Sequence, residues 1–78
     1  MVLFKYYSVV RDAHDGLPLY STKDTDFERY NAREAKSQAK SLAKQIKRGT
    51  HVCEAPNGFY ITIMKKTPKG DLQMRQTY

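Results

Sequence analysis

The middle of the chain, from Asn31 to Arg48, has the sequence NAREAKSQAKSLAKQIKR. This composition favours a helix, because alanine and long unbranched side chains lose little conformational freedom in one. Apolar residues recur at intervals of three and four and share one stripe: Ala32, Ala35, Ala39, Leu42, Ala43 and Ile46. At about 100° per residue, the centre of this stripe lies roughly 110° from an arc that carries cations. The sequence therefore predicts an amphipathic helix with one face to bury and another to expose.

Both ends of this helix have capping signals. Asn31 is a favourable N-cap, and Glu34 is placed to complete a capping box near the positive end of the helix dipole. Lys47 and Arg48 suit the negative end, and Gly49 is a good residue for the position just after the helix.

The helix carries nearly all of the excess positive charge of the chain. The net charge of the whole chain is +6, and Asn31 to Arg48 holds six cations and one acid. Five of these cations share the exposed arc and, together with the adjacent Arg48, we call them the basic ridge: Arg33, Lys36, Lys40, Lys44 and Lys47. Such a concentration favours an anionic partner, most often nucleic acid, because lysines on one helical face can neutralise phosphates without reading sequence. The alternative is a solvated face that keeps a small protein soluble.

The residues before the helix predict a β-hairpin. Val2 to Val10 is rich in β-branched and aromatic residues with both faces partly apolar, which indicates a strand in the centre of a sheet. His14 to Gly16 supplies a turn, and Leu17 to Thr22 reads as the returning strand. Pro18 lacks a backbone donor, so we expect this second strand at a sheet edge.

The residues after the helix predict a second hairpin, with strands at His51 to Ala55 and Phe59 to Lys66 around the turn residues Pro56 to Gly58. The expected fold is therefore α+β, in the order β-β-α-β-β, with about four mainly antiparallel strands and one helix on one face. We expect one domain over residues 1–67 and a flexible tail over 68–78. A short strand through Leu72 and Met74 is the alternative for that tail.

Two further surfaces are candidates for binding. Lys65 and Lys66, at the end of the last clear strand, predict with Lys69 a second basic cluster for an anionic partner. The sheet face that the single helix leaves uncovered should carry some of the six tyrosines. Such a face is a contact surface for another protein or for a second copy of this chain, as a homodimer.

Few residues suggest catalysis or metal binding. His14 and His51 have no second ligand at metal spacing, Cys53 is the single cysteine, and no phosphate loop or nucleophile elbow occurs. We therefore expect a non-enzymatic protein without metal or cofactor. One cysteine and no signal peptide fit a reducing, cytoplasmic location, and no stretch is long enough to predict a membrane span.

The layout of the chain resembles small phage-encoded inhibitors, including several anti-CRISPR proteins, in which a hairpin precedes an Ala-rich helix and another hairpin. The residues that carry this resemblance are Asn31 to Arg48, Gly49-Thr50 and Asn57-Gly58-Phe59-Tyr60. It implies a protein that occupies a nucleic-acid or partner site on a host nucleoprotein complex, in the host cytoplasm, with the basic ridge docking there.

A second resemblance is local. The turn Asp15-Gly16-Leu17-Pro18-Leu19 and the helical residues Ser37 to Ile46 are similar to the first hairpin and first helix of the longin domain of vesicle-trafficking R-SNAREs. This resemblance implies a protein-interaction domain in vesicle trafficking. It is the alternative interpretation, because a longin domain continues with further strands and two more helices.

Overall fold

The computed structural model describes residues 4–77, and the side chains of residues 4–74. Within these residues, one helix packs on one face of a four-stranded antiparallel sheet. The elements are β1 (Tyr6–Asp12), β2 (Pro18–Ser21), α1 (Ala32–Arg48), β3 (Phe59–Thr67) and β4 (Gly70–Thr77). The strands lie side by side in the order β2-β1-β3-β4. This arrangement confirms the predicted α+β class and the order β-β-α-β-β.

Helix α1 begins and ends where the capping signals predict. The Asn31 side chain accepts a hydrogen bond of 2.9 Å from the backbone N–H of Glu34. At the other end Gly49 has a φ of 72°, which glycine adopts without strain, and its N–H is directed to the carbonyls of Gln45 and Ile46. The helix is therefore held at both ends by local contacts.

The core lies between α1 and the two central strands. Val10 of β1 and Ile61 of β3 are fully buried, and Ile63 is nearly so. They pack against the helix through the stripe Ala35, Ala39, Leu42, Ala43 and Ile46. Val10 and Tyr6 both contact this core, so the even-numbered face of β1 is the one that meets the helix. Ala32, the first residue of the predicted stripe, is only half-buried.

The first hairpin agrees with the sequence in its main features. Gly16 has a φ of 75° in the turn, and its N–H donates to the carbonyl of Asp12 at 2.8 Å. Strand β2 lies at a sheet edge, and β1 is central, both as predicted. Strand β1 begins later than expected, at Tyr6 instead of Val2, and residues 1–3 lie outside the described chain.

The second hairpin was predicted in the wrong place. Residues 51–55 form no strand; the N–H of Cys53 donates to Nδ1 of His51, and Val52 is 89% exposed. Phe59–Thr67 is instead the first strand of the hairpin and pairs with β1 on one side and β4 on the other. The alternating core residues of β3 fit a central strand, whereas Val52 contributes nothing to the core.

The predicted flexible tail over residues 68–78 is also corrected. Gly70–Thr77 forms β4, which is the short strand that the sequence offered as the alternative. The pairing with β3 is regular from Gly70 to Gln73, and its register shifts between Thr62 and Met64. Met74 packs against the core from this strand, which supplies the physical reason for its order. Tyr78 lies outside the described residues.

The connection between β2 and α1 runs along the sheet instead of away from it. Arg29 forms an antiparallel bridge with Tyr6, with backbone hydrogen bonds of 2.7 and 2.9 Å. Thr22 is buried, and its hydroxyl accepts a hydrogen bond from the N–H of Ser8. These contacts place the start of α1 beside the Tyr6 end of β1.

In the described part of the chain, no helix is both long enough and apolar enough to cross a membrane.

Candidate docking surface

Helix α1 exposes all six residues of the basic ridge. Burial of Leu42 and Ile46 against the sheet fixes the rotation of the helix about its axis, so the cations are held away from the core. Among the residues that the structure describes, no carboxylate forms an ion pair with Arg33, Lys36, Lys44, Lys47 or Arg48. Their charges are therefore available to a partner.

The basic ridge lies on the flank of α1 that faces β4. Arg29 pairs with Tyr6 on the side of β1 opposite to β3, and its guanidinium donates to Oε1 of Gln38 at 3.0 Å. Gln38 thus marks the flank that faces β2. In helical projection Gln38 lies about 160° from the centre of the ridge. The ridge and the edge strand β4 are therefore on the same side of the molecule.

Two shallow depressions follow the ridge along the helix. The first has a volume of about 420 Å³ and is lined by Arg33, Lys36, Ser37 and Lys40. The second, of about 330 Å³, is lined by Lys40, Ala43, Lys44 and Lys47. Both are open to solvent and each is bordered by cations. They are suited to anionic groups of an extended partner.

Lys65 and Lys66 do not form the single cluster that the sequence predicted. They are neighbours in β3, so their side chains leave opposite faces of the sheet. Lys65 lies on the helix side with its Nζ 4.4 Å from the centre of the Phe4 ring. Lys66 lies on the open face, where its Nζ is 2.8 Å from Asp24 and 3.1 Å from Glu28. Of these two predicted site residues, Lys66 is thus occupied by acids of its own chain.

The open face holds a group of paired charges that we call the open-face cluster: Lys5, Tyr7, Lys23, Asp24, Glu28, Lys66 and Asp71. The two acids of this cluster beside Lys66 differ in exposure: the Asp24 side chain is 73% exposed, whereas that of Glu28 is buried. The Glu28 side chain is only 6% exposed, between Lys66 and Lys5. The Asp24–Lys66 contact joins residues 42 positions apart, so no local pattern could reveal it.

The cluster shifts the pKa values of its members. Hydrogen bonding to Asp24 and Glu28 raises the pKa of Lys66, and the same contact lowers that of Asp24. Burial opposes ionisation of Glu28, yet the N–H of Asp24 and the Lys66 ammonium hold its pKa below the ordinary value. Burial and the hydrogen bond to Asp71 raise the pKa of Tyr7 to about 12. These groups stabilise the fold, because each lies beside a group of opposite charge or a hydrogen-bond partner.

The tyrosines are mostly committed to the fold. Tyr7 is 6% exposed and donates its hydroxyl hydrogen bond to Asp71, while Tyr6 and Tyr20 pack against the core. Tyr30 is 56% exposed, with Nζ of Lys5 5.5 Å from its ring centre. A homodimer through the open face stays a prediction, and its surface would include the open-face cluster.

Of the residues considered for catalysis, His51 and Cys53 lie together, since the N–H of Cys53 donates to Nδ1 of His51. His14 is at the exposed hairpin turn, whereas His51 packs edge-on against Tyr20 with 4.6 Å between ring centres. Burial raises the pKa of the Cys53 thiol, which lowers the thiolate fraction that a nucleophile needs. Among the described residues, no three His, Cys, Asp or Glu side chains lie together as a metal site would require.

Comparison of the chain with protein-family models, with curated proteins and with solved structures found no match.

Proposed function

We propose that this chain is a non-enzymatic binding module whose basic ridge docks on nucleic acid or on an acidic surface of a nucleoprotein complex. One observation carries the proposal: the cations are concentrated on one exposed helix flank, and five of them have no acid partner within the described chain. Elsewhere in the molecule, by contrast, Lys5, Lys23 and Lys66 are paired with carboxylates.

The dimensions of the ridge suit a polyanion. A helix rises about 1.5 Å per residue, so Arg33 and Lys47 are separated by roughly 20 Å along the axis. Each phosphate that a lysine neutralises releases counterions, which favours binding and makes the affinity fall with salt. No exposed aromatic residue belongs to the ridge itself, so the expected contacts are to the phosphate backbone and not to particular bases.

The biological role in this proposal rests on the resemblance to small phage-encoded inhibitors. A protein of this kind would occupy the nucleic-acid site of a host machine in the cytoplasm, with the ridge as its docking surface. The layout of one hairpin, one Ala-rich helix and a second hairpin supports that role, although the second hairpin is formed by other residues than the sequence suggested.

A salt titration tests nucleic-acid docking. Binding of fluorescent duplex and single-stranded oligonucleotides of random sequence is measured by anisotropy from 20 mM to 300 mM salt. We expect binding to both, with log affinity falling steeply and linearly with log salt as several counterions are released. Absence of binding at the lowest salt would contradict docking on nucleic acid.

The alternative function is a longin-like interaction domain in vesicle trafficking. The observation that favours it is the β1–β2 hairpin, in which residues 13–17 connect the strands and Leu17 is 62% and Leu19 40% exposed at the sheet edge. Exposed apolar residues at a hairpin are suited to a protein partner. A pull-down from a eukaryotic lysate that recovers trafficking proteins, together with no oligonucleotide binding, would favour this alternative.

A further inference from the structure

Strand β4 leaves one side of its backbone without a partner in the described chain. It lies at the end of the sheet order, and its inner side pairs with β3. Within residues 4–77, no other strand pairs with its outer side. The regular part of this edge is Gly70 to Gln73, where the pairing with β3 keeps one register.

The hydrogen-bond pattern identifies the groups that point outward. The N–H of Lys66 donates to the carbonyl of Lys5 at 2.8 Å, so the backbone of Lys66 faces β1. Opposed residues of an antiparallel pair alternate between bonded and non-bonded pairs. Asp71, which opposes Lys66, therefore directs its own N–H and C=O away from β3. Gln73, two residues along, does the same.

The opposite edge of the sheet is protected in ways that this one is not. Strand β2 has only four residues and begins with Pro18, whereas β4 has eight residues; a register shift interrupts the pairing of both edge strands. Short length and proline both discourage pairing with another chain. Gly70 to Gln73 contains no proline, and Leu72 is 58% exposed on the side of the sheet that carries α1.

The basic ridge lies above the outer edge of β4, on the side of the sheet that carries α1. Leu72 opposes Lys65, which opposes Tyr6, and Arg29 beside Tyr6 leads into the first turn of α1. The ridge residues at this end are thus Arg33 and Lys36. Strands are spaced by about 4.8 Å, so an added strand would lie roughly 12 Å from the line between β1 and β3 on which the helix packs. A helix with its side chains has a radius of about 5 to 6 Å, so carboxylates on the added strand come within reach of ridge cations.

We propose that the outer edge of β4 receives an extended segment of a partner protein by strand addition. The partner segment has acidic residues at alternate positions on the helix-facing side, beneath the ridge, and one apolar side chain beside Leu72. Main-chain bonds to Asp71 and Gln73 supply the pairing, and alternate side chains supply the selectivity. The charge selection rests on the proposed function of the ridge, whereas the strand pairing does not. A second copy fits poorly, because two chains of net charge +6 would bring their ridges together.

The test uses a synthetic ten-residue peptide in which glutamate alternates with threonine and one central glutamate is replaced by valine. The control peptide has lysine in place of glutamate. Gln73→Pro removes one outward N–H while leaving the bonded pairs with β3 in place, and Gln73→Ala is the matched control. We expect the acidic peptide to bind and the lysine peptide not to bind. Gln73→Pro should weaken binding at least tenfold and Gln73→Ala less than twofold.

Amide hydrogen exchange on the unaltered chain gives a second measurement that does not depend on the proline variant. The acidic peptide should slow exchange of the N–H groups of Asp71 and Gln73. Unchanged exchange at both amides, or equal binding by a folded Gln73→Pro variant, would overturn strand addition. A dimer that sediments as such and is lost in Gln73→Pro would assign the edge to a second copy, and would overturn the proposal too.

Ridge variants separate this inference from the proposed function. The charge reversal Lys36→Glu, Lys40→Glu and Lys44→Glu should weaken binding of both oligonucleotides and the acidic peptide. If it weakens oligonucleotide binding while Gln73→Pro has no effect on the peptide, strand addition fails and the ridge proposal stands. If it changes neither affinity, the ridge proposal fails.

Discussion

The basic ridge and the open-face cluster place lysines on opposite sides of the same small domain, with opposite outcomes. In the open-face cluster, Lys66 lies 2.8 Å from Asp24 and 3.1 Å from Glu28, and Lys23 lies 3.1 Å from Asp71. On the ridge, five cations form no ion pair with a carboxylate of the described chain: Arg33, Lys36, Lys44, Lys47 and Arg48. The first set pairs with acids of the chain, and the second keeps its charge exposed to solvent. A lysine count alone cannot distinguish these roles; the surrounding acids do.

The largest expected effect comes from the ridge. The charge reversal Lys36→Glu, Lys40→Glu and Lys44→Glu should reduce affinity for a 20-nucleotide single strand by about 100-fold or more near 100 mM salt, because three phosphate contacts are lost and replaced by repulsion. The melting temperature should change little, since these side chains are exposed. Anisotropy and circular dichroism measure the two quantities.

The matched control for the ridge keeps its charge. Substitution of the same three lysines by arginine should leave affinity within a few-fold of the original, because each side chain still neutralises a phosphate. Equal affinity of the glutamate and arginine variants would reduce the ridge to a solvated surface.

The next-largest effect is expected from the open-face cluster. It should be a loss of stability instead of a loss of affinity. Lys66→Met removes the ammonium that pairs with Glu28, whose side chain is 6% exposed, and leaves that carboxylate with Lys5 at 3.7 Å. We expect the melting temperature at pH 7 to fall by several degrees, because a buried carboxylate loses its closest cationic partner. Affinity for oligonucleotides should stay within about twofold. A large loss of affinity with an unchanged melting temperature would place Lys66 in the docking surface instead.

The smallest effect is confined to alkaline solution. The pKa of Tyr7 is raised to about 12, from an ordinary value near 10, by burial and by the hydrogen bond to Asp71. The folded chain therefore holds this proton where the unfolded chain releases it, and stability should decline as pH rises from about 10 to 12. In Tyr7→Phe that part of the decline should be absent. Urea unfolding at several pH values gives the comparison, and identical slopes for both proteins would contradict the assignment.

The parts of the fold that depend on residues close together in the sequence could be predicted. The helix boundaries follow from Asn31 and Gly49, and the edge position of β2 follows from Pro18. The hairpin partner of Phe59 to Thr67 could not be predicted. The alternation of apolar residues in this strand is the same whether it pairs with residues 51–55 or with the residues after Thr67. The structure decides between these partners: one side of β3 pairs with the whole of β1, and the other side pairs with β4. A central strand takes partners on both sides, which leaves 51–55 without a place in the sheet.

The residues of the candidate site also divide into those that could be located from the sequence and those that could not. The ridge could be located from helical spacing alone, because its residues belong to one element. The contacts of Lys65 and Lys66 are with Phe4, Asp24 and Glu28, which are distant in sequence. The same is true of the position of the ridge beside β4, which follows from the Arg29 contacts with Tyr6 and Gln38.

The pairing of β1 with β3 at the centre of the sheet also bears on how the chain folds. Asp12 opposes Phe59, so this pairing closes a loop that contains β2 and the whole of α1. The first hairpin and the capped helix are local and form quickly, whereas closing this loop costs entropy before the core contacts repay it. The core between α1, Val10 and Ile61 exists only once the loop is closed. Formation of the central strand pair is therefore the step expected to set the folding rate, and until then the ridge is carried by a helix with little to pack on.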